Sequence, residues 1–384
     1  MADNTKIEWT DATWNPITGC SIVSPGCTNC YAMKLAGTRL QHHPSRVGLT
    51  KDSKAGPVWT GEVRFNPEWL TQPLTWKKPR MIFVCAHGDL FAEGVPDEWI
   101  DQVFAVMALA PHHTFQVLTK RPERMREYLY GDSARQRIAW AEAAKIMNIH
   151  APHWRDEDIH GANRSLAISA GQEWPLPNVW LGVSVEDQPR AEQRIPILLD
   201  TPAAIRWISA EPLLGGLDLR KLPSVIFAAN INALTGTLRW DGGPTETGGP
   251  RLDWVVAGGE SGRNARPMHP DWARSLRDQC AAAGVPFLFK QWGEWHTAAY
   301  RMTDGEPVFR QFTTFDQWVN KASTWINGGV CLDRTGRRLK IGGDFMRARD
   351  KGTFPLTIMH RVGKKSAGRV LDGVEHNGFP EVQS

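Results

Sequence analysis

Short apolar runs recur along this 384-residue chain, each followed by polar or glycine-bearing residues and then by a helical pattern. The strand-like runs are Met81–Cys85, Thr114–Leu118, Val179–Val183, Ala204–Ser209, Trp254–Ala257 and Pro286–Phe289. The helical runs between them include Glu98–Leu109, Arg121–Tyr128, Asp187–Leu198 and Asp271–Ala283, the last with Gly284 as its stop signal. This alternation is the strongest constraint on the fold, because strands separated by helices pair in parallel through right-handed crossovers. With the segment before Cys20 it makes about seven units, and the predicted fold is α/β: a TIM-like (β/α) barrel, complete or partial. A doubly wound open sheet is the alternative.

Two stretches break the rhythm and read as loop insertions, at about 131–177 and 217–252. The first holds an amphipathic helical pattern over Ala134–Met147. The second holds a β-like run at Ser224–Ala229 and the turn Asp241-Gly242-Gly243-Pro244. The predicted organisation is a barrel over 1–317 with a basic C-terminal cap over 318–384. From Arg334 to Ser384 there are 11 Lys and Arg against 5 Asp and Glu; the totals of 45 and 41 leave 34 against 36 elsewhere. A basic tail on a near-neutral body suits an anionic partner or a solvated surface.

No apolar run approaches the roughly 18 residues of a membrane span, and the first residues are polar rather than a secretory signal. Six cysteines without a pairing pattern argue against a disulfide scaffold and for a reducing cytoplasm. Eighteen tryptophans exceed the usual content of such a chain, and packing accounts for most of them.

The chemistry concentrates in residues 18–32, where Cys20, Cys27 and Cys30 sit inside eleven residues, with Pro25 and Gly26 bending the loop and a helical run, Tyr31–Leu40, following at once. A structural zinc site usually takes four protein ligands in two pairs, and here there is one C-x2-C pair with a third sulfur seven residues upstream. Three local cysteines suit a [4Fe–4S] cluster that keeps one iron open, with zinc and a redox-active thiol group as the other readings. Tyr31, beside the last sulfur, is placed to shield a cluster and tune it.

In a parallel barrel the residues that follow each strand gather at one rim. Those residues include Asp89, Lys120, Arg121, Glu186, Glu211, Glu260 and Lys290. They read either as groups that orient a polar substrate or as a salt-bridged barrel mouth. Asp89 is the candidate rim carboxylate or fourth cluster ligand, with a helix-turn cap as its plain alternative. Cys85, Cys280 and Cys331 read as packed thiols. Lys364, Lys365 and Arg369 lie close together near the end of the chain and suit either phosphate contacts or a solvated basic face.

The chain resembles the phage Gp37/Gp68-type (DUF5131) family across nearly its whole length. The resemblance rests on TGCSIVSPGCTNCYA (Thr18–Ala32), GDLF (Gly88–Phe91), QVLTKRPERM (Gln116–Met125), VWLGVSVEDQ (Val179–Gln188), SAEPLLG (Ser209–Gly215), DWVVAGGESG (Asp253–Gly262), PFLFKQWGEW (Pro286–Trp295) and HRVGKKSAGRVLDG (His360–Gly373). It implies a relative of the radical S-adenosylmethionine enzymes, with a three-cysteine loop holding a [4Fe–4S] cluster at the mouth of a barrel. It also makes S-adenosylmethionine a candidate cofactor, and Gly258, Gly259 and Glu260 resemble the glycine-rich edge that binds its methionine amine. The spacing here is C-x6-C-x2-C rather than the C-x3-C-x2-C typical of those enzymes.

The expected function is that of an iron–sulfur redox or radical enzyme on a small-molecule or nucleotide-like substrate, supplied by an electron donor. The alternative is a non-catalytic cluster- or zinc-bearing nucleic-acid-binding protein that grips phosphates with its basic C-terminal cap.

Overall fold

The structure, a computed structural model, describes residues 5–130, 174–224, 228–240, 242–297, 311–321 and 329–381. The Ala134–Met147 pattern lies outside them, as does most of the first insertion.

The central element is a seven-stranded parallel sheet curled into a half-barrel. Its strands are β1 (Ala12–Trp14), β2 (Met81–Val84), β3 (Thr114–Thr119), β4 (Val179–Ser184), β5 (Ile205–Ala210), β6 (Trp254–Gly258) and β7 (Phe287–Gln291), and they lie in sequence order. Strands β2 to β7 each fall within a residue or two of their expected runs, and β1 lies in the segment before Cys20. The β/α alternation therefore produces a partial barrel with β1 and β7 as its edges. Strands β4 and β6 are buried along their whole length, as expected of parallel strands covered on both faces. Helices α1 (Tyr31–Ala36), α2 (Asp97–Leu109), α3 (Pro122–Leu129), α4 (Gln188–Leu199) and α5 (Pro270–Ala283) occupy connections between the strands. The first is shorter than its predicted run to Leu40: it ends at Gly37, where a Cβ would lie 2.1 Å from the Pro57 ring. At the far end of α5, Gly284 takes φ 67, the left-handed conformation its stop signal implied.

The chain divides into two compact units. The first comprises Met1–Ser184, Glu192–Ser209 and Leu222–Trp254. Its core is aromatic. Trp9 meets Phe83 at 4.7 Å and Trp207 at 5.1 Å between ring centroids, and Trp254 meets Trp207 at 5.4 Å and Trp180 at 5.8 Å. Gly182 on β4 makes room for this group, because a Cβ there would sit 2.5 Å from the Trp207 ring. The same unit carries an antiparallel sheet of four short strands, Leu222–Pro223, Ala229–Asn232, Thr237–Trp240 and Thr245–Glu246, within the second insertion.

The second unit comprises Val185–Ala191, Ala210–Lys221 and Val255–Ser384. Strand Leu356–Arg361 is the centre of its antiparallel sheet, pairing with Trp295–His296, Gln311–Phe312 and Val330–Leu332. This sheet draws in chain from before residue 318. Its core packs Phe312, Cys331, Leu339, Phe345, Leu356 and Ile358 together, with Trp318 stacked 4.3 Å above Phe345. The edge of β7 is covered by the end of the chain: Phe289 N–H donates to His376 O and Gly378 N–H to Phe287 O, both at 3.0 Å.

Candidate metal centre at the cysteine loop

The loop begins where β1 gives way to a short strand, Ile17–Gly19, paired antiparallel with Val63–Phe65. Gly19 is required there: its φ is +95, and a Cβ would stand 2.2 Å from Glu62 O. Cys20 follows. A single 3-10 turn, Pro25–Cys27, reverses the chain, with Cys27 N–H donating to Ser24 O at 2.9 Å and Cys30 N–H to Cys27 O at 3.2 Å. Cys30 then caps the start of α1. All three thiols are free, Cys27 is buried, and Cys20 and Cys30 pack against Ala32, Met33, Ala36, Leu49 and Trp59. Burial and the Asp89 charge push the Cys20 thiol up to about 12; Arg121 opposes this, and Cys30 and Cys27 add to it.

Arg121 fastens this loop to the sheet. It follows β3, and Pro122 starts α3 behind it. Its Nη1 donates to Cys20 Sγ at 3.3 Å and to Asp89 Oδ2 at 3.1 Å. Its Nη2 donates to Ser21 O and Ser21 Oγ, and Nε and Nη2 make a forked contact with Glu93 at 3.1 Å. Burial alone would lower its pKa; Asp89 and Cys20 outweigh that and raise it. Asp89 spends both oxygens on four donors: Phe91 N–H, Thr119 Oγ1, Lys120 N–H and Arg121 Nη1. Its oxygens serve the turn at Phe91, the end of β3 and the arginine.

The donor set fits a cluster in kind and number. Three unbridged sulfurs share one loop, close enough that Cys27 and Cys30 both act on the charge of Cys20, and one of them accepts a guanidinium N–H. Among the described residues no three His, Cys, Asp or Glu side chains are close enough together to hold a metal ion as they stand.

Tyr31 is 54% exposed, with its hydroxyl donating to Ala86 O and its ring edge-on to His87. Cys85 is buried at the end of β2 with φ 54, a conformation costly for a residue with a side chain. Lys120 is half-buried, and its side chain makes no hydrogen bond or ion pair among the described residues.

The remaining predicted site residues belong to the second unit. Glu211 and Lys290 form an ion pair at 2.9 Å, and Gln291 Nε2 donates to the other Glu211 oxygen at 3.1 Å. Glu186 is buried, and its carbonyl accepts from Leu214 N–H at 2.7 Å. Glu260 is held by Arg266, which donates through its backbone N–H, Nε and Nη2. Gly259 packs its backbone against β7: its N–H donates to Gln291 O at 2.8 Å, and a Cβ would lie 1.9 Å from Trp292 O. Gly258 gives its carbonyl to Leu213 N–H, and a Cβ there would be 3.4 Å from the Glu211 carboxyl carbon. Of the C-terminal basic residues, Arg369 pairs with Glu375 at 3.8 Å, while Lys364 and Lys365 are exposed.

Sequence reasoning missed Glu93, Ser21, Arg266 and Gln291 as partners at these sites, and underweighted Arg121. The Lys120-Arg121-Pro122 step after β3 carried the only local signal.

The family model described as a protein of unknown function, DUF5131, matches residues 4–380. The chain therefore belongs to the DUF5131 family. No curated protein and no solved structure matches it. No helix among the described residues is long and apolar enough to cross a membrane.

Proposed function

We propose that Cys20, Cys27 and Cys30 hold a [4Fe–4S] cluster, and that the protein is a cytoplasmic iron–sulfur redox or radical enzyme of the S-adenosylmethionine-using kind. One observation carries the reading: three free thiols share one loop, and a buried arginine donates to the sulfur of the first. A cluster bound there supplies one-electron chemistry and an open iron position. The chain's own residues do the rest. Arg121 favours the thiolate form of Cys20 and fixes the loop against β3, Asp89 positions Arg121, and Ser21 with Glu93 completes the fork. Glu211 and Lys290 supply a paired acid and base for a polar substrate in the second unit.

Anaerobic purification with iron, sulfide and zinc analysis tests the assignment. The expected content is about four iron and four sulfide per chain, lost together when Cys20, Cys27 or Cys30 is replaced by Ser. Electron paramagnetic resonance of the reduced protein should change when S-adenosylmethionine is added. One zinc per chain without sulfide overturns the cluster, and an unchanged spectrum removes the cofactor.

A further inference from the structure

The connection between β1 and β2 carries a second buried arginine whose surroundings differ from those of Arg121. Arg46 is 4% exposed. Its Nη1 donates to Ser45 O at 3.0 Å and Ser45 Oγ at 2.7 Å, and its Nη2 contacts His87 Nδ1 at 2.6 Å. A guanidinium has five N–H groups and accepts nothing, so His87 Nδ1 is the acceptor and the neutral ring keeps its proton on Nε2. Nε–H and one further N–H of Arg46 have no acceptor among the described residues, and no Asp or Glu forms an ion pair with it there.

Arg64 grips the same turn from the facing strand, through Pro44 O and Val47 O at 2.7 Å for the latter, and it too lacks a carboxylate among the described residues. The two guanidinium groups repel each other: burial first, then Arg64, lowers the Arg46 pKa to about 10. Both are held by rigid backbone. Thr18 Oγ1 donates to Ser45 O at 2.8 Å, Arg46 N–H to His43 O at 2.8 Å, and Thr18 pairs in register with Arg64. The Arg46 guanidinium also lies 5.8 Å over the Trp69 ring.

Two backbone-held arginines with no carboxylate partner among the described residues suit an anion that joins them. The surrounding sequence adds to the imbalance. Between Tyr31 and Asn66, Lys34, Arg39, Arg46, Lys51, Lys54 and Arg64 stand against Asp52 and Glu62, six charges against two.

We propose that Arg46 and Arg64 form a subsite for the phosphate group of a small phosphorylated molecule. Guanidinium forks match the oxygens of a doubly charged phosphate, and a pre-set turn spares the ordering cost of binding. The subsite stands apart from the cluster reading, since none of its groups is a cysteine, and its failure leaves that reading untouched.

Calorimetric titration of the full-length chain at constant ionic strength tests it, with inorganic phosphate and a nucleoside monophosphate as ligands and sodium chloride as control. Both phosphates should bind one per chain, and Arg46→Gln should weaken them at least tenfold while the chain still melts cooperatively. Absence of saturable phosphate binding overturns the proposal, as does equal affinity in a folded Arg46→Gln. If that variant does not fold, the decision passes to Arg64→Gln on its half-buried side chain, where weaker binding supports the subsite and unchanged affinity overturns it.

Discussion

Two buried arginines of the first unit, Arg121 and Arg46, are satisfied in opposite ways. Arg121 has Asp89 and Glu93 beside it and shares a donor with Cys20, so its charge is balanced inside the protein. Arg46 has a serine, a neutral histidine ring and a second arginine for company. The same residue type is therefore structural glue at Arg121 and a charge with no carboxylate among the described residues at Arg46. Burial alone does not tell the two apart; the presence of a carboxylate does.

The largest effect should come from removing the balanced arginine. Arg121→Met leaves Asp89 buried without its cation and should cost about 3–5 kcal/mol of stability, measured by urea unfolding. Arg46→Met should stay within about 1 kcal/mol of the parent, or exceed it, because it removes a buried charge that no carboxylate among the described residues pairs with. Equal losses in the two variants would erase the distinction drawn above.

The pH dependence of the Arg46 side comes next. Burial and then Arg46 lower the His87 pKa from 6.5 to about 4. Between those values the unfolded chain binds a proton that the folded chain refuses, so stability present above pH 6.5 is lost as pH falls towards 4. The loss attributable to His87 is up to roughly 3 kcal/mol. His87→Gln should flatten that part of the stability–pH curve; an unaltered slope excludes the histidine as its source.

A third pair sharpens the comparison at intermediate burial. Glu211→Gln strips Lys290 of its carboxylate while leaving Gln291 an oxygen to donate to, and should cost roughly 1–2 kcal/mol. A thermal melt that does not move would show this ion pair to be as weak as an exposed one. The smallest change belongs to Tyr31→Phe, which removes one hydroxyl donor to Ala86 O from an exposed side chain. The expected loss is about 0.5–1 kcal/mol, and a larger one would mean that Tyr31 braces the loop more than its exposure implies.

Much of this was legible in the residues themselves. The parallel strands lie within a residue or two of their apolar runs because buried parallel strands have no solvent face to blur the pattern. Gly284 ended its helix where it was expected. The cysteine loop declared itself by composition. What could not be read was pairing at a distance. Arg121 reaches Cys20 across 101 residues and Arg46 reaches His87 across 41, and no periodicity records either contact. The Arg46 site is harder still, since what marks it is that no carboxylate among the described residues pairs with it. Helix α1 ends at Gly37, where the Pro57 ring, twenty residues away, leaves no room for a Cβ.

The covering of β7 by His376–Gly378 carries a practical consequence. A chain shortened before Val374 would bare the last parallel strand of the sheet along Phe287–Phe289, a run of apolar backbone with open N–H and C=O groups. Such a truncation should drive self-association through strand addition, visible as concentration-dependent light scattering.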